Sequence, residues 1–255
     1  MIYDTYLIII LSLIFGACFG SFANMLIYRL CCDQSLLRVR SLCPNCNNTL
    51  GLIDLIPIVS FLLLRGRCRC CKKPILKRYL VVELLTPILF FLFLYPHSFM
   101  LLNLHYLLFG YIILILFFTD LESYLLPLPL TSILVGLGIA ISFLGDVLLS
   151  RLMVALLFAS GLLAFRYIFN HIYKQDTFGL GDIILLVAIS LNFGWQICLS
   201  TFYCAVILGG CYSVMLIALK KRSRNDLIPF GPFIIIGILC SFKFLEIAVP
   251  FLFLI

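Results

Sequence analysis

The chain has 255 residues, of which 64% are hydrophobic and 11% charged, and its formal net charge is +7. A soluble domain carries about 25% charged residues, and a single core of this size cannot hide so much apolar surface, so an ordinary soluble protein is excluded. The basic excess then reads as membrane topology and contact with anionic lipid, and no nucleic-acid partner is expected.

The first apolar run covers residues 6–28. Asp4 is the only charge on its N-terminal side, and the run is long for the apolar part of a secretory signal, so a retained span is expected. Seven more spans follow at about 79–97, 100–119, 125–145, 148–169, 181–195, 197–219 and 229–253, judged against the roughly 20 residues that cross a bilayer. The sixth is short and fits a helix that starts at the membrane edge inside a bundle. The stretch GLIDLIPIVSFLLLRG (51–66) is too short and too interrupted to span. It is assigned to a loop domain or an interfacial helix. The expected fold class is an all-α polytopic membrane protein of about eight transmembrane helices, with a cytoplasmic zinc-binding loop domain between the first and second spans. The expected divisions are 1–28 for the first helix, 29–78 for the tetracysteine loop and 79–255 for a catalytic bundle.

Eight spans put sixteen of the eighteen Lys and Arg residues on one side, in the loop 29–78, after the fifth span (Arg166, Lys174) and after the seventh (Lys220, Lys221, Arg222, Arg224). Only Arg151 and Lys243 fall opposite. Positive charge marks the cytoplasm, so both termini are expected in the periplasm.

In the large loop, Cys43 and Cys46 form one C-x-x-C, and Cys68 and Cys71 a second, about twenty residues on. Two such pairs can close a tetrahedral thiolate site, which points to structural zinc. Cys70 leaves a register ambiguity, and the spacing favours Cys68 with Cys71. A redox pair, or reduced cysteines without a metal, are the alternatives, and the cytosol disfavours stable disulfides.

Asp120 ends the third span in LFFTDLESYLLPLPLT, and Asp182 opens the sixth behind Gly179 and Gly181 in DTFGLGDIILLVAISL. The topology brings both to the same membrane edge, 62 residues apart in sequence. Two carboxylates sharing one proton can hydrolyse a peptide bond, one activating water and the other donating to the scissile carbonyl. The glycines would let a substrate backbone approach closely. Helix capping is the bland alternative, for Asp182 on its own helix and for Asp120 on the next. Neither G-x-S-x-G nor H-E-x-x-H occurs. His97 and His105 are expected on the outer side, and His171 is a lone loop histidine.

These residues resemble the type IV prepilin peptidase family, membrane aspartyl proteases of the G-x-G-D type. Five blocks carry the likeness in family order: GACFGSFANMLIYRL (16–30), the paired C-x-x-C loop with DLIPIVS (54–60) and KKPILKRYLVVELLTP (72–87), TDLESYLLP (119–127), GLGD (179–182) and PFGPFIIIG (229–237). The resemblance implies that Asp120 and Asp182 are the catalytic aspartates. It implies cleavage of a basic leader from prepilins or pseudopilins after a glycine at the cytoplasmic face of the bacterial inner membrane. It also implies N-methylation of the new terminus from S-adenosylmethionine, since Cys43, Cys46, Cys68 and Cys71 match the family's four-cysteine loop. Pilus or type II secretion machinery would then be the partner. Glu83, Glu122 and Asp54 are candidate contacts for a basic leader. Two departures are Ile184, where the family usually has lysine, and Cys31, where proline often follows YRL; the first puts pH optimum and rate in question. A peptidase-only member, an ion-coupled transporter and a scaffold without chemistry are the competing readings. Against a transporter, both acids sit at one edge and no inverted repeat is visible.

Overall fold

A computed structural model describes residues 2–35, 41–94, 101–174, 178–221 and 228–252. His97, Arg222 and Arg224 lie outside the described residues. All regular structure here is helical: α1 (Ile2–Cys31), α2 (Val59–Leu63), α3 (Lys77–Leu94), α4 (Leu101–Ser123), α5 (Leu128–Leu144), α6 (Leu148–Tyr173), α7 (Leu180–Phe193), α8 (Trp195–Ala218) and α9 (Gly231–Leu252), with a 3-10 turn at Leu52–Leu55. Each expected span overlaps one of the eight longer helices. Among the described residues, four segments are long and apolar enough to cross a bilayer by length and composition: Ile9–Cys31, Asn103–Ser123, Leu148–Tyr173 and Trp195–Ala218. Leu128–Leu144, Leu180–Phe193 and Gly231–Phe242 are apolar but shorter. The α3 helix opens on Lys77 and Arg78 and carries Glu83.

Two compact units divide within α4, Met1–Ile115 and Leu116–Ile255. In the first, α1 packs along α3. Two small residues set how closely. A Cβ on Gly16 would stand 2.4 Å from Pro87 Cα, and one on Gly20 would stand 2.9 Å from Glu83 Cα. This is the small-x-x-x-small device by which membrane helices bring backbones together. The N-terminal half of α4 joins them through Tyr111, whose hydroxyl donates to Phe19 O at 2.9 Å and whose ring meets Phe19 edge-on. Gly16→Leu should therefore cost about 1–3 kcal/mol through overpacking and lower the melting temperature in detergent. Gly136→Ala, whose added Cβ meets nothing within 4 Å, should be neutral or slightly stabilising. Equal melting of the two variants would refute the close α1–α3 contact.

The segment 51–66 does not span. It folds as the 3-10 turn and the five-residue α2, with Ile53, Val59, Leu62 and Leu63 exposed.

In the second unit α7 is the central element, packing against α5, α6 and α8. Ile183, Leu185, Leu186, Ala188, Ile189 and Leu191 are all buried. Its burial explains how a 14-residue helix, short for a bilayer, has a place in the fold. Its C-terminal carbonyls are satisfied from neighbouring helices, as water-poor surroundings require. Arg151 donates to Leu191 O at 2.9 Å and Asn192 O at 2.8 Å, and Ser142 donates to Leu191 O at 2.7 Å. Asn192 Nδ2 donates across to Leu134 O in α5 at 2.9 Å.

Candidate active site and cysteine cluster

The cysteine loop is built from two copies of one turn. Cys43 N–H donates to Asn48 O, and Asn47 N–H donates to Cys43 O; Cys68 N–H donates to Lys73 O, and Lys72 N–H donates to Cys68 O. Isolated antiparallel bridges, Leu42 with Thr49 and Arg67 with Pro74, flank the turns. Asn47 and Lys72 occupy matching positions at φ +53° and +58°. Each turn presents its two cysteines on one side. The four Sγ atoms of Cys43, Cys46, Cys68 and Cys71 lie within 4.8 Å of one another, and Cys43 and Cys71 are 4.0 Å apart. Tetrahedral zinc with Zn–S of about 2.3 Å needs S···S edges of about 3.8 Å, so the four fit the metal after a small contraction. Hydrogen bonds from the backbone of Cys71 and Cys70 lower the Cys68 thiol to about 7, a step towards the thiolate that a metal needs. Cys70 stays outside the group and accepts from Asn48 Nδ2 at 3.0 Å.

The two aspartates belong to the second unit. The α4 helix runs three residues past Asp120, further than the sequence suggested, and ends at Ser123. Tyr124 then turns to φ +57° and donates its N–H to Asp120 O at 3.0 Å. The N-cap of α5 is Pro127, so Asp120 does not cap the next helix; its carboxyl instead takes a hydrogen bond from the backbone of Gly231, the first residue of α9. Its side chain is 4% exposed. Its Oδ2 is buried without a hydrogen-bond partner among the described residues.

Asp182 does serve as a cap, since its carboxylate takes a hydrogen bond from the backbone of Gly179, the N-cap of α7. A Cβ on Gly179 would stand 2.7 Å from Asp182 Oδ2. Capping does not isolate it, for the Asp120 and Asp182 carboxyls interact electrostatically.

Leu126, in the turn between α4 and α5, fills the space beside them. A Cβ on Gly181 would meet Leu126 Cβ at 2.8 Å. One on Gly231 would meet Leu126 Cδ2 at 3.3 Å and Asp120 Oδ2 at 2.7 Å. The segments leading into α7 and α9 also touch, with Phe178 and Phe230 in an edge-on pair at 5.5 Å. Arg166 in α6 donates to Phe178 O and so holds the chain just ahead of Gly179. The end of α4 and the starts of α5, α7 and α9 thus meet at one place.

Residues 14–97 match the Bacterial Peptidase A24 N-terminal domain, and residues 107–214 match the Type IV leader peptidase family. Prepilin leader peptidase/N-methyltransferase proteins are among the similar chains. That of Aeromonas hydrophila is 32% identical over 80% of this chain and 71% of its own length. That of Legionella pneumophila is 30% identical over 94% and 92%. This chain belongs to the type IV leader peptidase family. The family is one of aspartic peptidases, and with its apolar helices the chain is an integral membrane protein. The relative from Myxococcus xanthus is 34% identical over 82% of this chain, but the likeness spans only 63% of that protein. No solved structure gives a significant match.

Within this family member the cysteine cluster lies in the first matched domain, and both aspartates lie in the second. Nothing in PFGPFIIIG marks Gly231 from its neighbours in sequence; the fold does, by setting its backbone against Asp120. Arg166 was counted as topological charge, yet it positions the G-x-G-D segment. Asp54 and Glu83 already have partners in the first unit: Asp54 pairs with Arg69 at 2.8 Å, and Glu83 Oε2 accepts from Ile58 N–H at 2.7 Å. His105 also lies in the first unit, among Tyr106 and Phe109, and His171 is exposed.

Proposed function

We propose that this protein removes the leader of type IV prepilins or pseudopilins after a glycine at the cytoplasmic face of the bacterial inner membrane, using Asp120 and Asp182. The observation that carries the reading is the buried, unpartnered Oδ2 of Asp120 beside a second carboxylate. An orphaned buried acceptor is costly and fits a group that completes its bonding with water or substrate. In the cleavage step one carboxylate takes a proton from water as the oxygen attacks the scissile carbonyl. The other carboxyl, protonated, donates to that carbonyl. The C–N bond then breaks as the proton gained from water passes to the leaving amine. Eight spans with both termini periplasmic put the two acids at the cytoplasmic edge, where the leader of a membrane-inserted prepilin meets its apolar helix. A Cβ at Gly179 or Gly181 would meet the Asp182 carboxyl or Leu126, so that backbone would reach these glycines as Leu126 gives way. Pilus or type II secretion machinery would take the product.

The name borne by the relatives supports a second activity, N-methylation of the new terminus. When bound, S-adenosylmethionine supplies an electrophilic methyl group, which an unprotonated amine takes with loss of one proton, leaving S-adenosylhomocysteine. Zinc held by Cys43, Cys46, Cys68 and Cys71 would have a structural part, since four thiolates leave no open coordination position.

The test is the mass of a full-length prepilin incubated with the protein in lipid and S-adenosylmethionine. Loss of the leader after glycine and a gain of about 14 Da, one CH2 in place of nothing, are expected. Leader loss without the gain would leave a peptidase only. No cleavage of any prepilin or pseudopilin would overturn the reading. Gly231→Ala should slow cleavage at least about tenfold with little change in melting, because its methyl displaces the Asp120 carboxyl, and misplacement by about 1 Å can cost a hundredfold.

A further inference from the structure

The first unit contains a cavity of about 670 Å³, within the range of small-molecule sites. Its walls come from α1, the two cysteine turns, α2 and the start of α3. Neither catalytic aspartate belongs to this unit. We propose that this cavity is the methyl-donor site, with Asn24 and Glu83 as its polar floor. The proposal rests on the methyltransferase part of the reading above.

Asn24 lines the cavity and is 2% exposed. Its Nδ2 is used, donating to Tyr79 O at 2.8 Å. Its Oδ1 is buried with no hydrogen-bond partner among the described residues. Beside it stands Glu83, 8% exposed, which also receives hydrogen bonds from Ser21 and Asn24. A free acceptor next to a buried carboxylate calls for a ligand that brings donors and positive charge. S-adenosylmethionine brings an ammonium, a sulfonium and an adenine amino group. The other walls suit the rest of it. Tyr28 and Phe61 offer faces for the adenine, and Lys73 offers a cation for the carboxylate.

The backbone supports a built site. Ile58, which donates its N–H to Glu83, sits at φ +64° and ψ −52°. A β-branched residue rarely takes that conformation, and strain of this kind collects at ligand sites. The hydrogen bond to Glu83 offsets that cost and anchors α2 and its Phe61 to the carboxylate.

The experiment uses the full chain in detergent, with tritiated S-adenosylhomocysteine for equilibrium binding and an azido-adenosyl analogue of the methyl donor for photolabelling. Wild type should bind saturably. Glu83→Gln, nearly isosteric, should bind at least about tenfold more weakly, as expected for a lost charge-assisted bond. Ser60→Trp, which fills the cavity from α2, should bind less still. Melting and gel filtration of each variant establish that it is folded. Labelled peptides should come from residues 21–34 or 54–83. If wild type binds and is labelled only within 116–255, or if folded Glu83→Gln and Ser60→Trp both bind as wild type does, the cavity is not the site although the methyltransferase reading stands. If wild type binds no S-adenosylhomocysteine at all, the methyltransferase reading itself fails, and the site with it.

Discussion

Stripping the zinc proposed for the cysteine cluster, or replacing Cys68 with serine, should release residues 43–71 to proteolysis and hydrogen exchange and impair the proposed methyl transfer more than leader removal. The two turns are short, and each is closed by few backbone bonds. Those bonds lie within each turn, and across the two turns the Asn48–Cys70 hydrogen bond would be a weak substitute for a central ion. Structural zinc in comparable small sites contributes roughly 10–16 kcal/mol at neutral pH. Loss of one thiolate in four should weaken metal binding by about a hundredfold or more. The turns also form walls of the cavity assigned to the methyl donor, whereas the aspartates belong to the other unit. That separation of residues is why the two activities should respond unequally. Unchanged protection of 43–71 after verified metal removal would show that the cluster needs no ion.

Asp120→Asn and Asp182→Asn should each lower leader cleavage by roughly a hundred- to ten-thousand-fold, the range for losing one proton-transfer group. The amide keeps the shape but cannot take a proton from water. The two variants should differ in stability. Asp182 accepts from Gly179 at the start of α7, so its amide should weaken a cap and the favourable charge at a helix N-terminus, costing about 1 kcal/mol. Asp120 is near the C-terminal end of α4 and buried, a poor place for a negative charge. Against that, its carboxyl takes a hydrogen bond from Gly231 at the start of α9, where negative charge is favourable, so its amide, which can still accept that bond, should be near neutral. A thermal melt of each folded variant checks this, and a destabilised, active Asp120→Asn would mark that residue as a structural acid.

The aspartates and cysteines were legible because chemistry constrains their spacing. The C-x-x-C spacing limits which sulfurs can come together, and the charge asymmetry leads to the expectation that the end of α4 and the start of α7 share one edge. The positions of the longer helices were legible from the apolar runs. Helix faces were not. The helices α1, α3, α4, α5 and α8 are apolar nearly all round, so periodicity cannot tell Gly16 and Gly20 of α1, which meet α3, from Gly136 of α5, which meets nothing. Nor does the sequence mark the partners of long-range bonds such as Asn192 with Leu134 or Arg166 with Phe178. These join elements whose order in space no local pattern records. Asn24 was hidden for the same reason, and Glu83 stood out only as a candidate contact for a basic leader: their pairing shows only when the fold sets one beside the other. The end of α4 was misjudged because the apolar run stops at Thr119 while the helix continues through polar residues to Ser123, and helix boundaries follow capping as well as hydropathy.

The central claim is that Asp120 and Asp182 act as one unit, and a double-mutant cycle on cleavage rate tests it most directly. Asp120→Asn, Asp182→Asn and the double variant would be assayed on one full-length prepilin, each with its fold verified by melting. Groups that share one proton are grossly non-additive, so the double variant should be no slower than the slower single one. Multiplying effects would show two independent residues, and wild-type cleavage by either folded single variant would place the chemistry elsewhere.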